Sequence, residues 1–184
     1  GVSELVLNEL PVHEEDPDSL SSDLFEAELI VHKTAAIKAR AFKKGWVSSD
    51  MATLQVYRRA HQPDTAILRS RMNRVHTAKG ANTFFDFELG GFNANSPAWA
   101  NNWGGFRNNH MDLVVKYNQA KSVSSVSLNT LIETETSIFP PSVIEVWGGM
   151  SEGALVRLGT KRIVLPPVYR KPYIELFNVE FPRH

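Results

Sequence analysis

Apolar positions along this chain cluster in short runs broken by Gly, Pro, Asn and Ser. Few windows place them at i, i+3, i+4 and i+7 over three turns, as an amphipathic helix requires. Leu29-Ile30-Val31 reads as one strand-length run. In the next, Ile37, Ala39 and Ala41 alternate with Lys38, Arg40 and Phe42. Lys44-Gly45-Trp46 reads as a turn, followed by a strand at Thr53-Leu54-Gln55-Val56-Tyr57. Further strands are predicted at 113–117, 122–128, 143–147, 155–158 and 173–179. Each is strand-length, and most have Gly, Pro, Asn or Ser close by. Many short strands at close spacing predict an all-β fold built as sandwiches.

The best boundary lies at Arg58-Arg59-Ala60-His61-Gln62-Pro63-Asp64, where a strand group ends and a Pro closes the segment. Beyond it, residues 73–118 are rich in Asn, Gly and aromatics. The expected organisation is two β domains, 1–59 and 64–184. The chain has 184 residues, enough for such a pair. It contains no Cys, which excludes a disulfide scaffold, a thiolate zinc site and a cysteine nucleophile. No apolar run reaches the roughly 18 residues of a transmembrane helix, so membrane insertion is not expected.

The formal net charge is zero, but it is unevenly spread. Residues 1–28 hold nine carboxylates and no Lys or Arg, whereas residues 29–79 hold eleven Lys or Arg and two acids. Such a division suits two different partners, or two segments that neutralise each other within one sheet. Lys38, Arg40, Lys43 and Lys44, with Phe42 and Trp46 between them, have the residue types of a nucleic-acid platform. Alternation instead makes Lys38 and Arg40 the outer face of a strand, with Phe42 and Trp46 closing the sandwich end. Overall neutrality argues against a polyanion partner.

Two stretches carry a family resemblance. Asp16-Pro17-Asp18-Ser19-Leu20-Ser21-Ser22-Asp23-Leu24-Phe25, followed by residues 33–49 (Lys33 through Ile37-Lys38-Ala39-Arg40-Ala41-Phe42 to Gly45-Trp46-Val47-Ser48-Ser49), resembles the small fibronectin-III-associated sandwich appended to chitobiases and β-hexosaminidases. The family's early turn carries a Gly that His13-Glu14-Glu15-Asp16-Pro17 lacks, and its first strand is hinted at by Leu5, Val6 and Leu7. The second domain is similar to a galactose-binding-like jelly roll of the discoidin type. Its carrying residues, in family order, are Lys79-Gly80-Ala81 with Asp86, Trp103-Gly104-Gly105-Phe106, and Asp112-Leu113-Val114-Val115. Val123 to Leu128, Ser137-Ile138-Phe139-Pro140-Pro141 and Ile144-Glu145-Val146-Trp147 follow. Asp86 is followed by Phe87 rather than Gly, and Ser137 stands where the family has a Trp. The resemblance implies an accessory region of a larger extracytoplasmic protein (periplasmic, cell-surface or secreted), often a carbohydrate-active enzyme. It also implies a structural calcium near Asp86, to which Asn82 and Glu88 offer further oxygens.

Catalytic patterns are sparse. No Gly-x-Ser-x-Gly elbow is present, and the six His residues form no metal-binding pair. Strand alternation would place Glu133 and Glu135 on one face, as a glycosidase pair needs, but charged side chains mostly face solvent. An enzyme is therefore not expected. The richest segment runs from Asn93 and Asn95 through Trp99, Asn101, Asn102 and Trp103 to Arg107, Asn108 and Asn109. An aromatic face stacks on the axial hydrogens of a sugar, while amide and guanidinium groups bond its hydroxyls. Trp99, Asn101, Asn102, Arg107 and Asn109 are the candidate ligand-binding residues. The alternative is a long loop that uses Asn at turns and left-handed positions, with Trp103 folded into the core. The expected function is a non-catalytic glycan-binding accessory region, with a structural or protein-docking role the alternative. The partner is accordingly a glycan or another domain of the parent protein, and the oligomeric state is open.

Overall fold

The computed structural model describes residues 4–10, 16–18, 20, 23–25, 29–32, 34–58, 61–91, 97–165 and 171–183. The fold is all-β and of sandwich type, and among the described residues helix is confined to one short α-helix and three 3-10 turns. The chain divides into two compact units, Gly1–Ala60 and His61–His184.

The first unit is a four-stranded antiparallel sheet. β1 (Glu4–Leu10), β2 (Asp23–Leu24), β3 (Ala35–Phe42) and β4 (Ala52–Val56) lie in the order β2-β1-β3-β4. β3 takes hydrogen bonds from both neighbours, Glu9 opposing Ile37 on one side and Leu54 opposing Ile37 on the other. Ala35 and Ala36 are buried at its start, and Pro17 is fully buried. Lys38 and Arg40 depart from the expected outer face, since both are half-buried. Lys38 Nζ reaches Asp16 Oδ1 at 2.7 Å, so an acidic-segment carboxylate covers the basic strand. That hydrogen bond is the main cause holding the Asp16 carboxyl below its ordinary range.

Two other expectations for this unit are corrected. Trp46 does not close a sandwich end: it is 70 % exposed, with Lys43 Nζ 4.6 Å from its ring centroid. A flexible cation over an indole face is favourable without burial. Leu29-Ile30-Val31 forms no strand. β-branched residues become a strand only where a neighbour takes their backbone hydrogen bonds, and no described strand pairs with this run.

The second unit contains β5 (Thr65–Leu68), α1 (Pro97–Asn102), β6 (Leu113–Lys116), β7 (Ser125–Ile132), β8 (Val143–Gly148), β9 (Val156–Arg162) and β10 (Tyr173–Glu180). Among the described residues these form three antiparallel pairs: β5 with β6, β7 with β10, and the β8–β9 hairpin. The β7–β10 ladder runs from Tyr173 opposite Ile132 to Glu180 opposite Ser125. Leu131, Ile132, Phe177, Val179 and Phe181 are buried on or beside it. β9 meets this layer at Gly159, where a Cβ would lie 3.0 Å from Val179 and 3.2 Å from Phe181. The close approach explains why a strand interior carries Gly. Glu133 and Glu135 do not share a strand face. β7 ends at Ile132, Thr134–Thr136 is a 3-10 turn, and Ser137 takes the left-handed conformation.

Glu152, in the 3-10 turn Glu152–Ala154, ties this turn to the β5–β6 pair. It accepts Lys116 Nζ at 2.6 Å and pairs with Arg69. The Lys116 hydrogen bond, helped by the Arg69 charge, holds the Glu152 carboxyl below the usual glutamate value of 4.5. A carboxylate depressed in the folded state contributes stability above its unfolded pKa and loses it as pH falls through the folded one. The stability difference between wild type and Glu152→Gln is therefore expected to be full above pH 4.5 and to vanish in more acidic solution. Paired urea titrations across pH 2.5–7 check this (about the range over which carboxylates titrate).

Ile132 is 1 % exposed, and Val164 is 91 % exposed. Ile132→Ala is expected to cost about 2–5 kcal/mol by lost burial and a residual cavity. Val164→Ala should change stability by under about 0.5 kcal/mol. Chemical denaturation of the two variants compares them directly.

Candidate functional site

β5 and β6 are paired from Thr65–Lys116 to Leu68–Leu113, and their association continues beyond the regular ladder. Arg69 N donates to Asp112 O at 2.8 Å, and Asp112 N donates to Ser70 Oγ at 2.8 Å. Asn109 Nδ2 then donates to Arg71 O at 3.2 Å. Asn73 N donates to Gly105 O at 2.7 Å, and Gly105 N donates to His76 O at 2.9 Å. The two loops leaving the ends of β5 and β6 are thus fastened to each other at successive points.

Between the loops lies an open cleft of about 660 Å³. Arg71, Asn73, Arg74, Arg107, Asn108 and Asn109 supply its polar lining, with Met72 and Val75 the apolar part. Met72 is buried, and Gly104 leaves room for it, since a Cβ there would stand 2.7 Å from Met72 Cε. Val75 is 61 % exposed and offers an apolar surface beside the polar groups. Asn73 Oδ1 accepts Val75 N at 3.0 Å, an Asx turn that fixes the loop carrying Arg74. Asn108 has φ 55°, a left-handed position that Asn tolerates and most residues do not. The hydrogen bond from Asn109 to the opposite loop makes it a clamp as well as a lining residue.

Of the candidate ligand-binding residues, Arg107 and Asn109 come together in this cleft. Trp99, Asn101 and Asn102 lie on α1 and are not among its lining residues. The Trp99 ring is half-buried and meets the His76 ring edge-on, centroids 5.2 Å apart and planes at 83°. Its Nε1 is buried with no hydrogen-bond partner among the described residues. Asn101 is exposed and Asn102 half-buried. Trp103 lies against Gly90 and donates from Nε1 to Gly91 O at 3.0 Å. Asn93 and Asn95 lie outside the described residues.

Sequence reading did not single out Arg71, Asn73 and Arg74. The signal available was Arg69-Ser70-Arg71-Met72-Asn73-Arg74, three arginines in six residues, submerged in the longer basic segment. Arg69 points elsewhere, into the Glu152 pair.

At Asp86 the donor set does not fit a calcium ion. Lys79 Nζ lies 2.9 Å from Asp86 Oδ2 and 2.6 Å from Glu88 Oε2, so an ammonium already sits between the two carboxylates. Asp86 Oδ1 accepts Glu88 N at 3.0 Å. Calcium needs about 6–8 oxygen ligands. Among the described residues, no cluster of three or more acidic or histidine side chains could supply such a site. Phe87 adopts φ 64°, so the turn after Asp86 forms with a residue that disfavours the left-handed conformation. The two carboxylates, Glu88 first, raise the Lys79 pKa. Thermal unfolding is accordingly expected to be unmoved by millimolar calcium or by chelator. Lys79→Met should lower the melting temperature, since it leaves two neighbouring carboxylates uncompensated.

Fold and site together define a class: an all-β protein of two compact units, the second carrying an open, polar, arginine-bearing cleft between loops. Comparison of the sequence with protein-family models and with curated proteins finds no match.

Proposed function

We propose that this chain is a non-catalytic glycan-binding accessory region of a larger exported protein. The carrying observation is the loop cleft, where guanidinium and amide groups of Arg71, Asn73, Arg74, Arg107, Asn108 and Asn109 converge beside exposed Val75. Sugar hydroxyls are bound by such donors and acceptors, and the C–H face of the ring rests on apolar surface. At about 660 Å³ the cleft has the size of a small-ligand site. The resemblance to chitobiase-associated and discoidin-like modules supports the same reading, at the level of class rather than ligand. Among the described residues, no helix is long and apolar enough to cross a membrane.

A second reading rests on a separate observation. The β8–β9 hairpin leaves Val143, Trp147 and Val156 exposed, Trp147 by 52 %. The Trp147 indole N–H donates to Glu145 at 3.2 Å, which holds the ring along the sheet surface. Such an apolar face suits docking against another domain of the parent protein.

Glycan-array screening followed by affinity electrophoresis separates the two. Arg107→Ala is expected to weaken glycan binding about tenfold, the worth of one charge-assisted hydrogen bond. Trp147→Ser should leave glycan binding unchanged. Absence of binding to every glycan tested, with Arg107→Ala silent, would overturn the lectin reading in favour of docking.

A further inference from the structure

The geometry points to a specific ligand class for the cleft: an acidic glycan, one carrying carboxylate or sulfate groups on its sugars. This inference rests on the glycan reading and narrows it. Three arginines, Arg71, Arg74 and Arg107, line the cleft, and among the described residues no Asp or Glu does. Elsewhere in this unit four cationic side chains are matched to acids, Arg69 and Lys116 to Glu152, Lys79 to Asp86 and Glu88, and Arg157 to Glu145, while Lys121, Lys161, Arg162, Lys171 and Arg183 form no such pair among the described residues but are not gathered in the cleft. None of the three cleft arginines forms such a pair among the described residues.

Residues 61–184 hold thirteen Lys or Arg and ten Asp or Glu, a net positive balance. An unmatched cation on a convex surface is screened by salt, whereas like charges in a concavity focus their field toward its mouth. Guanidinium stays protonated throughout the physiological range, so the field is permanent. Its planar fork matches the paired oxygens of a carboxylate or sulfate, and these bonds are stronger than those to a neutral hydroxyl. A neutral sugar would leave three facing cations without counter-charge, which an acidic sugar supplies. Asn73 and Asn108 remain for hydroxyls, and Val75 for the ring face.

The test measures the full chain by isothermal titration against three size-matched oligosaccharides: a neutral one, a uronate-bearing one and a sulfated one. A single-stranded oligonucleotide serves as a polyanion without acidic sugars. At least one acidic oligosaccharide is expected to bind about tenfold tighter than its neutral counterpart. Which one does so decides between carboxylate and sulfate as the source of charge. That advantage should shrink as salt rises from about 50 to 200 mM, while neutral-sugar binding stays flat. Arg74→Gln with Arg107→Gln should abolish the advantage. Lys121→Gln, which removes a positive charge from an exposed position outside the cleft, should preserve it. The salt dependence of wild type tests the inference even if the double variant folds poorly. Equal affinity for neutral and acidic sugars overturns the inference but leaves the glycan reading standing. No sugar binding at all overturns both. Oligonucleotide binding as tight as that of the best sugar overturns the inference in favour of a nucleic-acid partner.

Discussion

The second unit depends on pairing β7 with β10, strands whose facing residues lie roughly fifty positions apart (Glu180 opposite Ser125). No local turn can set that register. It is set because the ladder places Ile132, Phe177 and Val179 together on one buried face, and a slip of one strand by one residue would turn its side chains to the opposite face. Full burial of such side chains stabilises by about 1.5–3 kcal/mol each, against the entropy of closing a long loop. β9 then meets the layer at Gly159, where a Cβ would lie 3.0 Å from Val179 and 3.2 Å from Phe181. The β8–β9 hairpin, a local element, is positioned by a contact that the distant pairing creates.

The same logic builds the cleft. β5 and β6 are also remote in sequence, and the hydrogen bonds beyond their ladder carry the pairing into the loops. Those loops bring Arg71 and Arg74 to the side of Arg107, more than thirty residues away. Glu152 braces this region by neutralising Arg69 and Lys116. It thereby distinguishes an arginine that serves the fold from the ones left to the cleft. Two residues of one basic run, Arg69 and Arg71, have different electrostatic roles because Arg69 pairs with Glu152 whereas Arg71 lines the cleft.

Legibility in the sequence was uneven for physical reasons. β3, β6, β8 and β10 were readable because β-branched or aromatic residues sit between turn residues and the strands are half-covered. β5 was not: Thr65-Ala66-Ile67-Leu68 is too short and too mildly apolar to stand out before its partner is known. Losing β5 meant losing the wall that carries Arg71 and Arg74, so only the Arg107–Asn109 side of the cleft was found from composition. Trp99 looked like a stacking platform because an aromatic in an Asn-rich loop has the right chemistry. Its ring meets His76, a residue whose proximity no spacing rule predicts.

By itself, the sequence determined the all-β class, the absence of thiol chemistry, and the residue types available for recognition. Those follow from composition and period, which are local. The charge balance, read as an average, argued against an anionic partner. Tertiary structure sorts those charges: Lys38 with Asp16, Lys79 with Asp86 and Glu88, and three arginines lining one cleft without an ion pair among the described residues. Coulomb interactions depend on distance through space, not along the chain, so a net charge of zero is compatible with a strongly cationic cleft.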